Sequence, residues 1–254
     1  MGKFFDDIPS FLIPWLAEQE MFWVATAPLS GGHVNVSPKG VHGAGTGVET
    51  IAHLREEGNA RITVMFSAFQ GPPRITRLFG TGIVHEYGTP GYDALIPPHT
   101  RKPGSRAAIV IDVHKVGTSC GYAVPLYAFQ AHRTKLLDSL AHAEERERAE
   151  QAPVEGGLRA FWRQYNLQSI DGMQALESAH ECERVPECIY DGAKKGNAPG
   201  GPKERWGVWA NSALAREQAG FVMGLILGGL LVAVYVQLSA IWETEMRAGS
   251  VFTV

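Results

Sequence analysis

Residues 33–84 bring together the side-chain types that bind a phosphate group. A predicted strand ends with Ser37 and Lys39, and a glycine-rich turn containing Thr46 then leads into a helix. Arg74 follows on the next predicted hairpin. Hydroxyl groups, cationic side chains and the free N–H groups of a helix N-terminus all favour an anion. The block therefore predicts a phosphate site, although each residue alone also fits an ordinary role as turn lysine, helix cap or cross-strand arginine.

Several other catalytic and metal-binding signatures do not occur in the sequence. The dinucleotide-binding GxGxxG pattern, the P-loop and the HExxH motif are absent, and there is no CxxC pair. Cys182 and Cys188 are not spaced like the ligands of a zinc site. No metal is therefore predicted, and the residue pattern names no catalytic group.

The composition excludes several broad classes of protein. The chain has 254 residues, of which 45% are hydrophobic and 19% charged, so it is neither disordered, collagen-like nor a polytopic membrane protein. Its net charge of −3 lacks the basic excess typical of nucleic-acid binding, so no nucleic-acid partner is expected. Only three cysteines are present, which favours a reducing compartment over a disulfide framework.

Turn residues and changes in composition divide the chain into segments. Residues 1–128 contain a short N-terminal helix, several strand-like runs and a helix at 49–58, which predicts a mainly β domain with helices, an α+β fold. Residues 129–180 are predicted as a helical extension in which 144–150 form a solvated charged face. Residues 181–217 are rich in glycine, proline and charge, which predicts a flexible linker. The strand-like runs are 21–29, 33–40, 60–69, 74–86 and 106–116.

Residues 218–242 form an apolar segment without charge near the C-terminus. A helix of about 20 apolar residues crosses the hydrocarbon core of a bilayer. More lysine and arginine residues precede the segment than follow it, so the positive-inside rule places the bulk of the chain in the cytosol. The sequence thus predicts a single-pass transmembrane helix that anchors the chain to membrane lipid, with residues 243–254 as a short tail across the bilayer. A buried core helix is the alternative.

Three stretches occur in an order that resembles the pyridoxamine 5′-phosphate oxidase-like family of FMN-binding split barrels. They are GHVNVSPKG at 32–40, GVETIAHL at 47–54 and RITVMFSAFQGPPRITRLFGTG at 61–82. The closer likeness is to a fungal-type branch of that family, and it extends over roughly residues 1–180. The resemblance implies a split β-barrel, FMN as cofactor, and a homodimer with the cofactor in a groove at the interface.

The same resemblance implies which residues contact the cofactor. They are Ser37, Lys39, Thr46, Gly47, Thr50 and Arg74. Ser37 and Lys39 would approach the flavin or its phosphate. Lys39 is a candidate for the positive group near the pyrimidine end of the flavin, where such a charge stabilises the reduced anion. Thr46, Gly47 and Thr50 match a Ser-Arg-Lys region that grips the phosphate in the oxidases, but the arginine and lysine are missing here. Arg74 matches an arginine that approaches the cofactor.

Residues 41–45 depart from the family pattern, because relatives carry an additional strand at this point. The barrel is therefore expected to lack one strand and part of its FMN groove. Three explanations for the missing strand remain open: a real loss of the strand, a mis-joined gene model, and a barrel that the partner subunit completes. The predicted function is a membrane-tethered, FMN-dependent oxidoreductase, and the alternative is a non-catalytic, degenerate split-barrel module that binds or scaffolds.

Overall fold

A computed structural model describes residues 2–40, 47–151, 154–186 and 249–253. The strands are β1 (Lys3–Phe5), β2 (Met21–Thr26), β3 (Asn35–Gly40), β4 (Arg61–Ser67), β5 (Ile75–Glu86), β6 (Ala107–Ser119) and β7 (Gly249–Thr253). The helices are α1 (Ile13–Glu18), α2 (Val48–Arg55), α3 (Pro90–Leu95), α4 (Lys135–Glu150) and α5 (Leu158–Tyr165), with 3-10 turns at Pro98–Thr100 and Ala179–Glu181. An antiparallel sheet with helices packed on it confirms the predicted mixed α+β class.

The sheet has the strand order β1-β6-β5-β4-β2-β3, and β7 also pairs with β6. All of these pairings are antiparallel. The five strand-like runs of the sequence correspond to β2 through β6, so those predictions are confirmed. Alternate residues of β2 and β4 point into the core, for example Val24, Val64 and Phe66. Burial of such residues on one face is what holds an antiparallel sheet against its helices.

The N-terminal segment differs from the single amphipathic helix that its apolar spacing predicted. Helix α1 covers only six residues, and β1 precedes it at the edge of the sheet beside β6. Leu12 is the N-cap residue of α1, and its side chain makes no capping bond. Leu12 and Leu16 are buried as expected, whereas Phe11 stays 59% exposed.

Helix α2 lies against the core side of the sheet, where it contacts β2, β4 and β5. All residues from Thr50 to Leu54 are buried, so the helix is enclosed on more than one side. Gly82 on β5 allows this close approach, since a Cβ atom there would lie 2.8 Å from Leu54 Cδ1. The helix ends at Arg55 rather than at the predicted Gly58, which instead occupies a positive-φ turn at 79°.

The acidic stretch 144–150 of α4 is not the solvated face that its charge predicted. Glu144 and Glu147 are both fully buried. They lie three positions apart on one helix face, and each accepts a hydrogen bond from a buried arginine. A charge pattern along the chain could not reveal those partners, because Arg101 and Arg159 belong to other segments. The helix itself begins at Lys135, later than predicted.

Several predicted segments lie partly or wholly outside the described residues. Residues 41–46 are among them, and the described sheet contains no strand between β3 and α2. Of the predicted linker, residues 181–186 are described: Glu181 ends a 3-10 turn, and Arg184 donates to Asp93 at 2.6 and 2.8 Å. The predicted transmembrane segment 218–242 is not described. Among the helices that are, none has the length and apolar character needed to cross a bilayer.

Candidate functional site

Strand β3 has an inverted polarity pattern. Asn35, Ser37 and Lys39 are paired in register with Thr26, Val24 and Phe22 of β2, all of which are buried. Side chains directly opposite one another in an antiparallel pair share a face, so the polar residues of β3 lie on the core side. On the other face, Val34 and Val36 are 72% and 61% exposed. A strand that turns its polar side chains inward is typical of one that lines a ligand site.

The hydroxyl of Ser37 has no structural role that explains its position. Its Oγ atom is buried, and no hydrogen-bond partner for it lies among the described residues. A buried hydroxyl without a partner costs free energy, on the order of 1–3 kcal/mol. An added ligand group would remove that cost.

Asn35 connects β3 to helix α2 through a buried polar network. Its Nδ2 group donates to Thr26 Oγ1 at 3.2 Å and to Thr50 Oγ1 at 3.1 Å. Thr26 Oγ1 lies 2.9 Å from His53 Nδ1, and the Nε2 atom of this fully buried histidine has no partner among the described residues. Thr50 therefore lies beside the polar row of β3, as the predicted site requires, but its hydroxyl already accepts a hydrogen bond.

Lys39 and Arg106 place two like charges inside the fold. They are 2% and 5% exposed. Burial, reinforced by the positive charge of Arg106, lowers the pKa of Lys39 to about 8. Burial likewise lowers the pKa of Arg106 to about 10. Arg106 immediately precedes β6, and within the described part of the chain its Nε and Nη2 atoms have no hydrogen-bond acceptor.

Glu86 is the carboxylate that acts electrostatically on Arg106, but its oxygens are bonded to other groups. It accepts from Arg55 Nη2 and from the backbone N–H groups of residues 177–179. Its charge raises the pKa of Arg106 without offsetting the effect of burial. Within the described part of the chain, the oxygens of Glu86 therefore leave the Nε and Nη2 atoms of Arg106 without an acceptor.

The start of helix α2 differs from a phosphate-binding helix N-terminus. Gly47 is its N-cap residue, and no side chain caps it. Glu49 places a negative charge in the first turn, and its Oε1 accepts from the backbone N–H of Ile170 at 2.9 Å. A carboxylate at this position repels a phosphate that the helix dipole would otherwise attract.

The loop that contains Ile170 also covers the neighbouring hairpin between β2 and β3. Asp171 accepts from the backbone N–H of His33 at 2.7 Å and from His33 Nδ1 at 2.6 Å. These bonds hold the pKa of Asp171 below its usual range, with the backbone bond as the larger cause. Residues 166–176 thus close over one end of the candidate site, a contact between distant segments that the sequence does not reveal.

Arg74 lies in a different environment from the polar row of β3. Its guanidinium stacks over the ring of Trp15, with 5.2 Å between Cζ and the ring centroid. Trp15 in turn contacts Phe66, and Phe66 contacts Phe22, the cross-strand neighbour of Lys39. A series of aromatic contacts therefore connects the surroundings of Arg74 to the strand neighbour of Lys39. The predicted site residue Thr46 lies outside the described residues.

Two features escaped the sequence analysis. Arg106 stands directly before a run of buried residues in β6, and a charge at such a position is a signal that could have been noticed.

Residues 117–121 read GTSCG, which matches the GxSxG pattern of serine hydrolases. Ser119 ends strand β6 and no helix follows it directly, so the strand–turn–helix context of that nucleophile is missing. Among the described residues there is also no acidic, histidine and cysteine cluster that could hold a metal ion.

Comparisons with known proteins identify the family. No protein-family model matches the chain. The pyridoxamine 5′-phosphate oxidase family protein ustO of Aspergillus flavus is 36% identical over 210 residues, which cover 70% of this chain and 80% of the relative. A structure from Clostridium acetobutylicum, related to general stress protein 26 of B. subtilis and assigned to the pyridoxinephosphate oxidase family, has 13% identity and a TM-score of 0.24 over 44% of this chain and 86% of its own. On the similarity to the Aspergillus protein, the chain belongs to the pyridoxamine 5′-phosphate oxidase family.

Proposed function

We propose that the protein binds FMN along the core side of β3 and acts as a flavin-dependent oxidoreductase. The inverted polarity of β3 is the observation that supports this most directly, because Ser37 and Lys39 face inward where a packed core would have apolar side chains. Ser37 Oγ is a buried hydrogen-bonding atom without a partner among the described residues, and Lys39 is a buried cation. These groups fit a cofactor with hydrogen-bonding ring edges and negative charge.

FMN would supply the two-electron redox chemistry, and the protein would supply binding and electrostatics. Ser37 would hydrogen-bond the cofactor, and the charge of Lys39 would favour its reduced, anionic form. Gly47 and Thr50 would border the site from the start of α2, with Asn35 holding Thr50 against β3. The loop at residues 166–176 would shield this end of the site from water.

A non-catalytic binding module is the second candidate, and the start of α2 favours it. The arginine and lysine of the phosphate-binding region are replaced, and Glu49 adds a negative charge at the helix N-terminus. A protein with such a site would hold a flavin weakly or bind another small molecule without turnover.

Flavin binding and turnover can be measured separately on the full chain purified in detergent. After incubation with FMN and removal of the free cofactor, we expect visible flavin absorbance that is retained by the protein. Ser37→Ala should weaken retention about tenfold, since it removes one hydrogen bond, whereas Ser139→Ala on exposed α4 should not. Failure to retain FMN contradicts the proposal. Retention without reoxidation of the reduced flavin by any acceptor favours the non-catalytic module.

We also propose that the protein forms a homodimer through the outer face of β3. Val36 of β3 and the preceding Val34 expose apolar side chains, and β3 pairs only with β2 within the described sheet. Exposed apolar side chains on an edge strand favour association with a second chain. Val36→Lys should shift the mass measured by light scattering from dimer to monomer. Ile83→Lys, at a residue of β5 that is 60% exposed, is the control and should leave it unchanged.

Residues 218–242 are proposed to tether the protein to a membrane, on the sequence pattern alone. Leu227→Arg together with Leu231→Arg should release the chain from the membrane fraction. A single crossing places residues 243–254 across the bilayer from the sheet, whereas the pairing of β7 with β6 needs both on one side. Protease accessibility of a C-terminal tag in sealed vesicles distinguishes these arrangements.

A further inference from the structure

His33 and Asp171 form a hydrogen-bonded pair just before strand β3 begins. Asp171 Oδ1 accepts from His33 Nδ1 at 2.6 Å, and Asp171 Oδ2 accepts from the backbone N–H of His33 at 2.7 Å. The imidazole side chain is 73% exposed, whereas the carboxylate side chain is 16% exposed. The acceptor of the pair is therefore largely covered, and the ring that it holds is open to solvent.

The backbone around the pair is shaped to bring the carboxylate close. Gly32 has a positive φ of 64°, and a Cβ atom there would lie 2.7 Å from Asp171 Oδ2. The hairpin loop is also tied to the end of α2, because the N–H of Leu29 donates to Glu56 Oε2 at 2.7 Å. An exposed ion pair contributes only about 0–1 kcal/mol to stability. Stability alone therefore does not account for a pair that the backbone accommodates so closely.

The bonds of Asp171 determine which nitrogen of His33 carries the hydrogen. A carboxylate can only accept hydrogen bonds, so the hydrogen of a neutral ring lies on Nδ1 and Nε2 keeps its lone pair. When Nε2 takes up a proton, the negative charge behind the ring stabilises the imidazolium. A base held by a second group in one tautomer is the arrangement that general-base catalysis uses.

His33 also stands at one end of the polar row of β3. Residues 33, 35, 37 and 39 are polar and alternate with Val34 and Val36. Asn35 donates to Thr50 at the start of α2, and the adjacent Glu49 accepts from the loop that carries Asp171. The pair therefore lies where β3, α2 and the loop at residues 166–176 meet, at the opposite end of the row from the buried Lys39.

We propose that His33 is a general base at this end of the β3 row and that Asp171 orients it. The identity of its substrate rests on the proposed function: a small molecule that gives a hydride to the cofactor loses one further proton. Nε2 accepts that proton, and a double bond forms between the two substrate atoms that lost hydrogen. The basic nitrogen itself requires no flavin, so it can be tested on the protein alone.

The first test determines the tautomer of His33 by NMR, on the full chain in detergent with ¹⁵N-labelled histidine and at a pH where the ring is neutral. We expect the hydrogen on Nδ1 in wild type, with the signal assigned by its loss in His33→Gln. In Asp171→Asn, the backbone N–H of residue 33 can bond only to the amide oxygen, so the amide NH₂ group faces Nδ1 and the hydrogen should move to Nε2. His114, exposed on β6, is the internal reference. A hydrogen on Nε2 in wild type, or no change in Asp171→Asn, overturns the proposal.

The second test measures the reactivity of Nε2 with p-nitrophenyl acetate as the probe. Water gives a proton to Nε2 while its oxygen attacks the ester carbonyl, and acetate and p-nitrophenol are released. We expect His33→Gln and Asp171→Asn each to lower the rate of hydrolysis by the protein about tenfold, and His114→Gln to leave it unchanged. His33→Gln keeps the backbone bond to Asp171, so its loss of rate reports the ring and not an opened loop. Equal rates in wild type and His33→Gln contradict a basic Nε2.

Retention of FMN, measured on the same proteins, separates this inference from the proposed function. If wild type does not retain FMN but has the hydrogen on Nδ1 and hydrolyses the probe through His33, the flavin function fails and the base stands. If wild type retains FMN but its hydrolysis does not depend on His33, the base fails and the flavin function stands.

Discussion

Two buried arginines in this protein have opposite surroundings. Arg101 is 2% exposed and donates to the fully buried Glu144 at 2.8 Å. Arg106 is similarly buried but is repelled by Lys39, and two of its nitrogens lack acceptors among the described residues. Arg101 thus has a buried carboxylate as its counter-ion, whereas two nitrogens of Arg106 have no acceptor in the described part of the chain.

On the helical side each buried arginine is bonded to a buried carboxylate, although Glu144 Oε2 and Arg159 Nη2 have no partner among the described residues. Glu144 also accepts from the backbone N–H of Gly104 at 2.7 Å, and Glu147 accepts from both the backbone and the side chain of Arg159. These bonds attach α4 to the segment before β6 and to α5. The charges of Glu144 and Glu147 therefore hold α4 against its neighbouring segments, and this arrangement requires no ligand.

Removing one partner of the Arg101 pair should have the largest effect. Glu144→Gln leaves the Arg101 charge buried without its counter-ion, and we expect a loss of about 3–5 kcal/mol in the free energy of unfolding by urea. Glu150→Gln, on an exposed residue of the same helix, should change it by less than about 0.5 kcal/mol. A similar, small change in both variants would show that the pair contributes little.

The lowered pKa of Lys39 should be visible in the pH dependence of the free energy of unfolding. The lowered pKa means that, between pH 8 and 10.5, the unfolded chain binds a proton that the folded chain has released. Stability of the ligand-free protein should therefore rise with pH across this window, by up to about 3 kcal/mol. Lys39→Met should remove this rise, and the difference between the two denaturation series isolates the lysine from other titrating groups. A parallel pH dependence in both proteins would contradict the assignment.

The same substitution at Arg101 and at Arg106 tests whether the two buried charges contribute differently to stability. Arg106→Met removes a buried charge of which two nitrogens lack acceptors among the described residues, so we expect the free energy of unfolding of the ligand-free protein to change by less than about 1 kcal/mol or to rise. Arg101→Met leaves Glu144 buried and alone, and should cost several times more. Equal losses in urea denaturation would mean that Arg106 is neutralised as fully as Arg101.

Breaking the exposed pair between His33 and Asp171 should have the smallest effect on the free energy of unfolding. Asp171→Asn removes the charge that receives two hydrogen bonds from His33, so the loop at 166–176 should exchange its amide hydrogens faster while global unfolding changes little. Because the pKa of Asp171 is lowered, its contribution is present above the ordinary aspartate pKa of about 4 and is lost as the pH falls below it. Asp6→Asn, at the exposed pair with Lys115, is the control. Unchanged exchange in the loop would contradict this role.

Most of the sheet could be predicted because strand patterns are local. Apolar runs bounded by glycine, proline and serine located β2 to β6, and GVETIAHL located α2. Strand β1 could not be found in this way, since three residues carry no periodic pattern and are held only by pairing with β6. The ends of α1 and α2 also depended on contacts that helix spacing does not report.

The candidate site was only partly predictable, for a related reason. Ser37 and Lys39 were found through their motif, and the structure shows both on the core side of β3. Arg74, chosen from the same motifs, stacks on Trp15. The cation that lowers the pKa of Lys39 is Arg106, which no local pattern connects to it.

By itself, the order of motifs in the chain was enough to determine the family, the central strands and the helix beside them, because each depends on residues close together in sequence. Which charges are buried, and beside what, was decided only by the tertiary structure. Glu144 looked solvated and is paired in the core, while Lys39 looked like a turn residue and lies in the interior. The free energy of a buried charge depends on groups that folding brings near it, and those groups come from distant parts of the chain.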